Sequence, residues 1–262
     1  MSGAALIDHG RLLDVLVTEG ETLANSAPPE AMDLPVPGRP GLTVGAVLRQ
    51  AADGYRGALA WMRDRGVPAW PVPEQRGPAP DERQDSVDRR EELRAGLVDL
   101  VVKLGEHEPE EPCPTWWPQD QTYGFWRRRM AHESTVHRID VQAALGGPVL
   151  DVPEDVALDG VDEVLLLWLG HRLRTRGITG PHRCALGIRT SDHAWYVRVE
   201  PAGISVFRAV PTGLTNVDAI ITGAPSAVYR WLWGRAPDHT VRLVGDRHAT
   251  AQLWALLRLA TA

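Results

Sequence analysis

The sequence predicts an α+β protein with two domains, a four-helix bundle over residues 1–150 and a smaller α+β domain over residues 151–262. Apolar residues of the first half recur every three to four positions, the period of a helix, in four segments separated by proline-rich connections. After Gly146-Gly147-Pro148 the pattern changes to short apolar runs bounded by Gly, Pro or Asp, which is typical of strands. A chain of 262 residues is long enough to bury two modest cores.

The first half contains four predicted helices, each bounded by residue types that start or stop helices. They are expected at about residues 6–23, 43–66, 85–105 and 122–145. Thr43 is a preferred N-cap residue, and Gly66, Gly105 and Gly146 each follow a last helical turn. Proline-rich connections are expected at residues 26–41, 67–80 and 106–118. Long connections of this kind occur in helix bundles.

The second half is predicted to combine helices with a small sheet. A helix over residues 159–175 carries an apolar block from Val164 to Leu169. Strand-like runs follow at residues 184–189, 194–199, 204–207 and 219–222. Two further helices are expected at residues 224–233 and 248–259, with Asp246 as the cap of the last one.

Composition and charge exclude several classes of protein. The net charge is -6 and both signs are interspersed, so neither a nucleic-acid-binding tract nor a polybasic membrane anchor is expected. No run approaches the ~18 apolar residues of a transmembrane helix, and the first residues do not resemble a signal peptide. Cys113 and Cys184 are too few for a disulfide framework and too far apart for a zinc motif. We therefore expect a cytoplasmic protein, monomeric or homodimeric, whose partners are small molecules.

The side chains best suited to catalysis or ligand binding lie in the segment from residue 125 to residue 140. Residues that advance by three or four positions, and so share one helix face, are Trp126, Met130, Glu133, His137, Val141 and Ala144. This face is apolar at both ends and has a carboxylate and an imidazole in its middle. Burial of two such groups is costly unless they pair or bind a ligand. Glu133 and His137, four residues apart, can hold one metal ion between them.

Other interpretations of this segment stay open. Glu133 and His137 can instead form a structural ion pair on a partly exposed stripe. Asp140 lies beside the stripe and can orient either His137 or an arginine. The three consecutive arginines at 127–129 are expected to form a solvated helix face.

Two motifs resemble the mycothiol-dependent maleylpyruvate isomerase family, whose members have a DinB-like four-helix bundle followed by a smaller α+β domain. The pattern R-x-x-H-E-x-x-x-H-R-x-D at residues 129–140 is similar to the helix-four signature of that family. The segment PGLTVGAVLRQ at residues 40–50 resembles the P-G-W-T-V-x-x-L-x-x-H that begins the family's second helix. Shorter matches at residues 160–163, 223–225, 232–235 and 244–246 extend the resemblance over nearly the whole chain.

The resemblance implies a divalent metal, usually zinc, between helices two and four. Its ligands in this chain would be Glu133, His137 and, at the position of the family's histidine, Gln50. Because an amide oxygen is a weaker ligand than imidazole, this set can hold a metal loosely, select another metal or hold none. The resemblance also implies mycothiol as a thiol cosubstrate. The metal lowers the pKa of the thiol, and the thiolate adds to a small electrophile or displaces a leaving group.

Three residues outside the motif, His9, Trp117 and Arg235, are further candidates for the site. His9 and Trp117, together with Asp140, are the candidates for binding the thiol. His9 falls on the apolar stripe of helix one, where it is either a satisfied core residue or a replacement for the missing ligand. Trp117 precedes helix four and either walls the pocket or packs in a loop. Arg235 resembles a family arginine that meets a carboxylate, and it can equally bind carbonyl groups at a helix C terminus.

Three functions fit these observations. The first is a metal-assisted, thiol-dependent S-transferase or isomerase in which Glu133, His137 and Arg235 are catalytic. The second is a divergent enzyme of specialised metabolism on the same scaffold, without thiol or metal. The third is a non-catalytic small-molecule-binding protein in which Glu133 and His137 simply pair. The enzymes of the family favour the first function, whereas Gln50 favours the other two.

Overall fold

A computed structural model describes residues 5–63 and 86–261. The chain divides into two compact units, with the boundary between Asp151 and Val152. The helices of the first unit are α1 (His9–Ser26), α2 (Val44–Arg63), α3 (Ser86–Gly105) and α4 (Tyr123–Ala144). The second unit contains helices and a sheet, so the predicted α+β class is confirmed. The connection predicted at residues 67–80 lies outside the described residues.

In the first unit, α1 runs parallel to α4. The ring of His9, at the start of α1, packs on Gly124 at the start of α4. Farther along both helices, Glu19 of α1 forms an ion pair with Arg138 of α4 at 2.7 Å. The two helices therefore run in the same direction along the first unit.

The second helix runs antiparallel to the fourth. Arg39, which precedes α2, forms an ion pair with Asp140 near the end of α4 at 3.5 Å. Tyr55, past the middle of α2, is hydrogen-bonded to Ser134 in the middle of α4 at 2.7 Å. Each step forward along α2 therefore corresponds to a step backward along α4.

Threonines cap the two helices that carry the predicted site. The Thr43 hydroxyl accepts a hydrogen bond from the N–H of Ala46 at 3.2 Å, which confirms the predicted start of α2. The Thr122 hydroxyl accepts from the N–H of Phe125 at 3.4 Å at the start of α4. These caps fix where each helix begins and hence which of its residues face the neighbouring helix.

The fourth helix is central to the first unit and is buried on nearly every side. The expectation of a solvated face at residues 127–129 is therefore wrong, because Arg128 and Arg129 are each only 2% exposed. Buried guanidinium groups need hydrogen-bond acceptors. Arg127 finds them in the carbonyl oxygens of Leu104 and His107, at 2.9 and 2.7 Å.

The second unit begins with one long helical segment. The helix α5 (Glu154–Glu163) continues into a π-helix (Val164–Arg172) and a final turn, α6 (Leu173–Thr175), so this segment starts earlier than predicted. Asp162 of α5 is fully buried and accepts hydrogen bonds from Trp195, at 2.8 Å, and from Arg208, at 2.7 and 2.6 Å. This carboxylate ties the helix to the sheet.

The sheet of the second unit has the strand order β3-β2-β1-β4-β5. Its strands are β1 (Cys184–Thr190), β2 (His193–Glu200), β3 (Gly203–Ala209), β4 (Ala219–Thr222) and β5 (Arg242–Gly245). The pair β1–β4 is parallel and the other neighbours are antiparallel. The first four strands confirm the prediction. The fifth, at the edge of the sheet, was not predicted because its residues are mostly exposed and its sequence does not alternate apolar and polar residues.

Two helices complete the second unit, α7 (Pro225–Leu232) and α8 (Arg247–Thr261). Asp246 accepts a hydrogen bond from the N–H of His248 at 2.8 Å and so caps α8, as predicted. Within residues 5–63 and 86–261, no helix combines the length and the apolar character needed to cross a bilayer.

Candidate functional site

The two central side chains of the predicted site, Glu133 and His137, lie one turn apart on α4. Oε1 of Glu133 is 3.8 Å from Nε2 of His137, and the two side chains are only 14% and 10% exposed. This separation is longer than a direct hydrogen bond. Among the described residues, Nδ1 of His137 is buried without a hydrogen-bond partner. The imidazole therefore keeps unused hydrogen-bonding capacity inside the protein.

Arg129 approaches the same carboxylate from the preceding turn of α4. Its Nε lies 3.4 Å from Oε2 of Glu133. Burial by itself raises the pKa of Glu133, but the adjacent His137 and Arg129 more than offset that effect and hold this pKa below its ordinary value. Glu133 is therefore a charged carboxylate at neutral pH.

The opposite side of the site is the backbone of α2. A Cβ atom placed on Gly54 would overlap Oε1 of Glu133 and lie 3.3 Å from its Cδ. Beside this contact, the hydroxyl groups of Tyr55 and Ser134 share a hydrogen bond of 2.7 Å. Sequence reasoning missed Gly54. A glycine inside a helical pattern signals close packing, but it does not reveal which group packs there.

Gln50 and His137 lie at the same level of the interface between α2 and α4. Gln50 is one turn before Gly54 on α2, and His137 is one turn after Glu133 on α4. The two helices are antiparallel and meet where Gly54 contacts Glu133. From this contact, four residues back along α2 and four residues forward along α4 cover about 6 Å in the same direction, so Gln50 and His137 reach the same level. The amide of Gln50, which the resemblance puts at the position of the family's histidine, therefore shares a helix face with Gly54.

Comparisons with known proteins agree with this architecture. Residues 13–142 match the family model described as the mycothiol maleylpyruvate isomerase N-terminal domain. Through its first unit, the chain belongs to the mycothiol maleylpyruvate isomerase family. A solved structure of the mycothiol-dependent maleylpyruvate isomerase is similar in fold, with a TM-score of 0.60 and 14% sequence identity over 92% of this chain and 95% of that one.

A histidine-to-alanine mutant of the same isomerase is equally similar, with a TM-score of 0.60 and 13% identity over 92% of this chain and 95% of the other. At such identities the likeness establishes a shared fold. None of the curated proteins compared with this chain matches it.

The residues at this position do not fit the catalytic zinc that the resemblance implies. Such a zinc takes three protein ligands and keeps one position open. Glu133 and His137 supply two, and Gln50 adds only an amide oxygen, which is a poor zinc ligand. In the part of the chain that the structure describes, no group of three or more His, Cys, Asp or Glu side chains is placed to hold a metal. The positively charged guanidinium of Arg129 also contacts the Glu133 carboxylate, and it would repel a metal cation bound to the same group.

Asp140 fulfils one of the two roles expected of it, contact with an arginine. Its Oδ2 lies 3.5 Å from Nη1 of Arg39, and its side chain is 1% exposed. The ion pair joins the segment before α2 to the end of α4. It thereby helps to set the register between these two helices. That register determines which residues of α4 lie at the same level as Gln50.

His9 and Trp117 lie at the beginning of α4, away from the couple. The ring of His9 packs on Gly124, which precedes Glu133 by nine residues or about 14 Å along the helix. The structure therefore does not bring His9 into place as a replacement metal ligand. Trp117 is almost wholly buried and packs against Phe125, with ring centroids 6.2 Å apart. Thiol binding by these residues stays a prediction.

Arg235 follows α7 in the second unit. Its side chain donates a hydrogen bond to the carbonyl oxygen of Trp233, and its backbone N–H donates to the carbonyl of Arg230 at 2.7 Å. These contacts are those of an arginine at a helix C terminus. Its role in binding a carboxylate stays a prediction.

Neither cysteine is suited to act as a nucleophile. Burial raises the pKa of Cys113 to about 11, and burial also raises the pKa of Cys184. Thiolate chemistry at neutral pH would therefore depend on a thiol that binds from solution.

Proposed function

We propose that this chain is a thiol-dependent enzyme of the maleylpyruvate isomerase type, with mycothiol as cosubstrate and Glu133 and His137 as its acid–base couple. The observation that carries the proposal is the couple itself. It consists of a charged carboxylate and an imidazole, both largely buried and 3.8 Å apart, with a nitrogen left unpaired. The family of the first unit suggests the thiol and the small electrophile. A cytoplasmic location, expected from the sequence, belongs to the same proposal.

The first proposed step is the transfer of the thiol proton to Nδ1 of His137, the nitrogen without a partner among the described residues, while Nε2 faces Glu133. Imidazole is the side chain best suited to accept and return a proton near neutral pH. The transfer leaves a thiolate, and the charged carboxylate of Glu133 stabilises the imidazolium beside it. Arg129 acts as a positioning residue, since it holds Glu133 in its ionised form. This step replaces the metal-assisted activation that the resemblance implied.

The thiolate then adds to a carbon–carbon double bond conjugated to a carbonyl group, as in maleylpyruvate. A C–S bond forms while the π-electron pair moves onto the carbonyl oxygen, and the adduct can rotate about the resulting single bond. When the electron pair returns, the double bond re-forms in the trans geometry, the C–S bond breaks, and the released thiolate recovers its proton from His137. If carbon takes the proton from His137 instead, the C–S bond persists and the product is a mycothiol conjugate.

The direct test is turnover by the purified full chain with mycothiol and maleylpyruvate, followed by ultraviolet absorbance. We expect isomerisation that requires the thiol and persists in the presence of EDTA. Monobromobimane serves as a second electrophile, and mass spectrometry detects its mycothiol conjugate.

Each alternative has its own outcome. Activity that EDTA removes and zinc restores would overturn the metal-free step. Isomerisation without any thiol would overturn the dependence on mycothiol. Mycothiol binding by calorimetry without turnover of either electrophile would favour a non-catalytic binding protein.

A further inference from the structure

A glycine on the opposite helix defines the space that the Glu133 carboxylate occupies. Gly54 lies in the interior of α2, where glycine favours the helix less than alanine does. The three atoms nearest to a Cβ built at this position all belong to the carboxyl group of Glu133. A glycine, which is a weak helix former, therefore occupies a position of α2 at which a side chain would overlap the Glu133 carboxylate.

The helices cannot easily separate at this point. The Tyr55 hydroxyl is hydrogen-bonded to the hydroxyl of Ser134, which also donates to the Met130 carbonyl at 2.8 Å. Tyr55 and Ser134 are fully buried, and each directly follows one of the two residues in contact, Gly54 and Glu133. A side chain added at position 54 would therefore displace the flexible carboxylate rather than push the two helices apart.

We propose that Gly54 is a positioning residue for the acid–base couple. Its missing side chain leaves a slot in the surface of α2, and Oε1 of Glu133 lies in that slot while it faces Nε2 of His137. The catalytic consequence rests on the proposed function, whereas the position of the carboxylate does not. Small displacements of a catalytic group lower the rate strongly, because proton transfer needs hydrogen-bond geometry.

The test compares Gly54→Ala with Gly96→Ala in the full chain. Gly96 lies on α3, and a Cβ there would be 3.6 Å from Cβ of Tyr55, an ordinary contact. Both substitutions add the same methyl group to a helix that packs in the same unit, so the second is a matched control. We expect Gly54→Ala to lower kcat by about tenfold or more with a smaller change in KM. The control variant should stay within about twofold of the wild type.

A second measurement needs no turnover and separates this inference from the proposed function. The ¹H–¹³C resonance of the His137 ring, assigned by its loss in His137→Ala, reports the nearby carboxylate. Gly54→Ala should shift this resonance, and Gly96→Ala should leave it in place. A wild-type protein that turned over neither electrophile would contradict the proposed function while leaving this test intact.

A double variant covers the case in which Gly54→Ala folds poorly. Since the overlap involves the carboxyl group of Glu133, adding Glu133→Ala should then restore the Tm. An unchanged kcat together with an unshifted ring resonance would overturn the inference. So would a loss of stability in Gly54→Ala that Glu133→Ala does not relieve.

Discussion

The fourth helix carries two buried charged clusters that differ in how completely their hydrogen bonds are made. In the Arg138 cluster, the guanidinium binds both carboxylate oxygens of Glu19, at 2.7 and 3.2 Å. The same guanidinium donates to Gln142, at 3.1 Å, and to the carbonyl oxygen of Leu150, at 2.6 Å. The cluster therefore joins α1, α4 and the segment after α4 through short, charge-assisted contacts.

The Glu133 cluster, one turn earlier on α4, is bonded more loosely. Glu133 is 3.4 Å from Nε of Arg129 and 3.8 Å from Nε2 of His137. Nδ1 of His137 is a buried nitrogen without a partner among the described residues. Charged groups that are buried but loosely bonded add little to stability, and they retain the capacity to bind a ligand or move a proton.

Burial of charge does not by itself distinguish a structural cluster from a functional one. The distinguishing property is the completeness of the hydrogen bonds. Substitutions in the two clusters should therefore separate activity from stability along a single helix.

The largest effect is expected from substitutions in the Glu133 cluster. His137→Ala and Glu133→Gln should each lower kcat/KM with mycothiol and maleylpyruvate by about 10²–10⁴-fold, because each removes one half of the acid–base couple. The Tm should change little, since the contacts within this cluster are long. Steady-state kinetics and thermal melting of the same preparations test both parts. Strong destabilisation with unchanged kcat/KM would instead identify a structural ion pair.

The next largest effect is expected in the Arg138 cluster, on stability. Arg138→Ala leaves Glu19 buried without its partner and should lower the free energy of unfolding by about 3–5 kcal/mol. Urea denaturation measures this change. Arg94→Ala is the control, because its ion pair with Glu21, at 3.5 Å, is exposed and should contribute only about 0–1 kcal/mol. Activity per folded molecule should survive in both variants, and its loss in Arg138→Ala would remove the distinction between the clusters.

A third prediction concerns Gln50 as a potential metal ligand. Gln50→His adds an imidazole at the level of His137 and completes three zinc ligands with Glu133. Zinc per chain, measured by elemental analysis after dialysis, should rise from a trace to a stoichiometric amount. Arg49→His is the control, because the neighbouring position points to another side of α2. Equal zinc contents in the two variants would contradict the shared level of Gln50 and His137.

The parts of the site that could be predicted from sequence are those that a single helix determines. Glu133 and His137 are four residues apart, and helical geometry alone brings such side chains together. The caps at Thr43 and Asp246 were equally predictable, since a cap depends on residues within the same turn. The order of helices and strands followed from local periodicity, except for the mostly exposed edge strand β5.

The parts that could not be predicted depend on contacts between elements. Gly54 meets Glu133 because the Tyr55–Ser134 bond and the Arg39–Asp140 pair set the register of α2 against α4. No periodic pattern contains that register. For the same reason the burial of the arginines at 127–129 was missed. The acceptors of Arg127 are the carbonyl groups of Leu104, in the last turn of α3, and His107, just after it, and no motif indicates this contact.

The smallest expected effect is on stability in acid. The pKa of Glu133 is lowered in the folded protein from its ordinary value of 4.5. Just below pH 4.5, Glu133 therefore stays ionised in the folded chain, whereas most unfolded chains have already protonated it. Glu133 therefore adds stability that is fully present above about pH 4.5 and is lost as the pH falls through the lowered value. Glu133→Gln cannot titrate, and its free energy of unfolding should depend less steeply on pH in that range. Urea denaturation at a series of pH values measures both slopes. Equal slopes would mean that Arg129 and His137 do not hold the carboxylate charged in solution, and the proposed proton transfer would then lose the anion on which it depends.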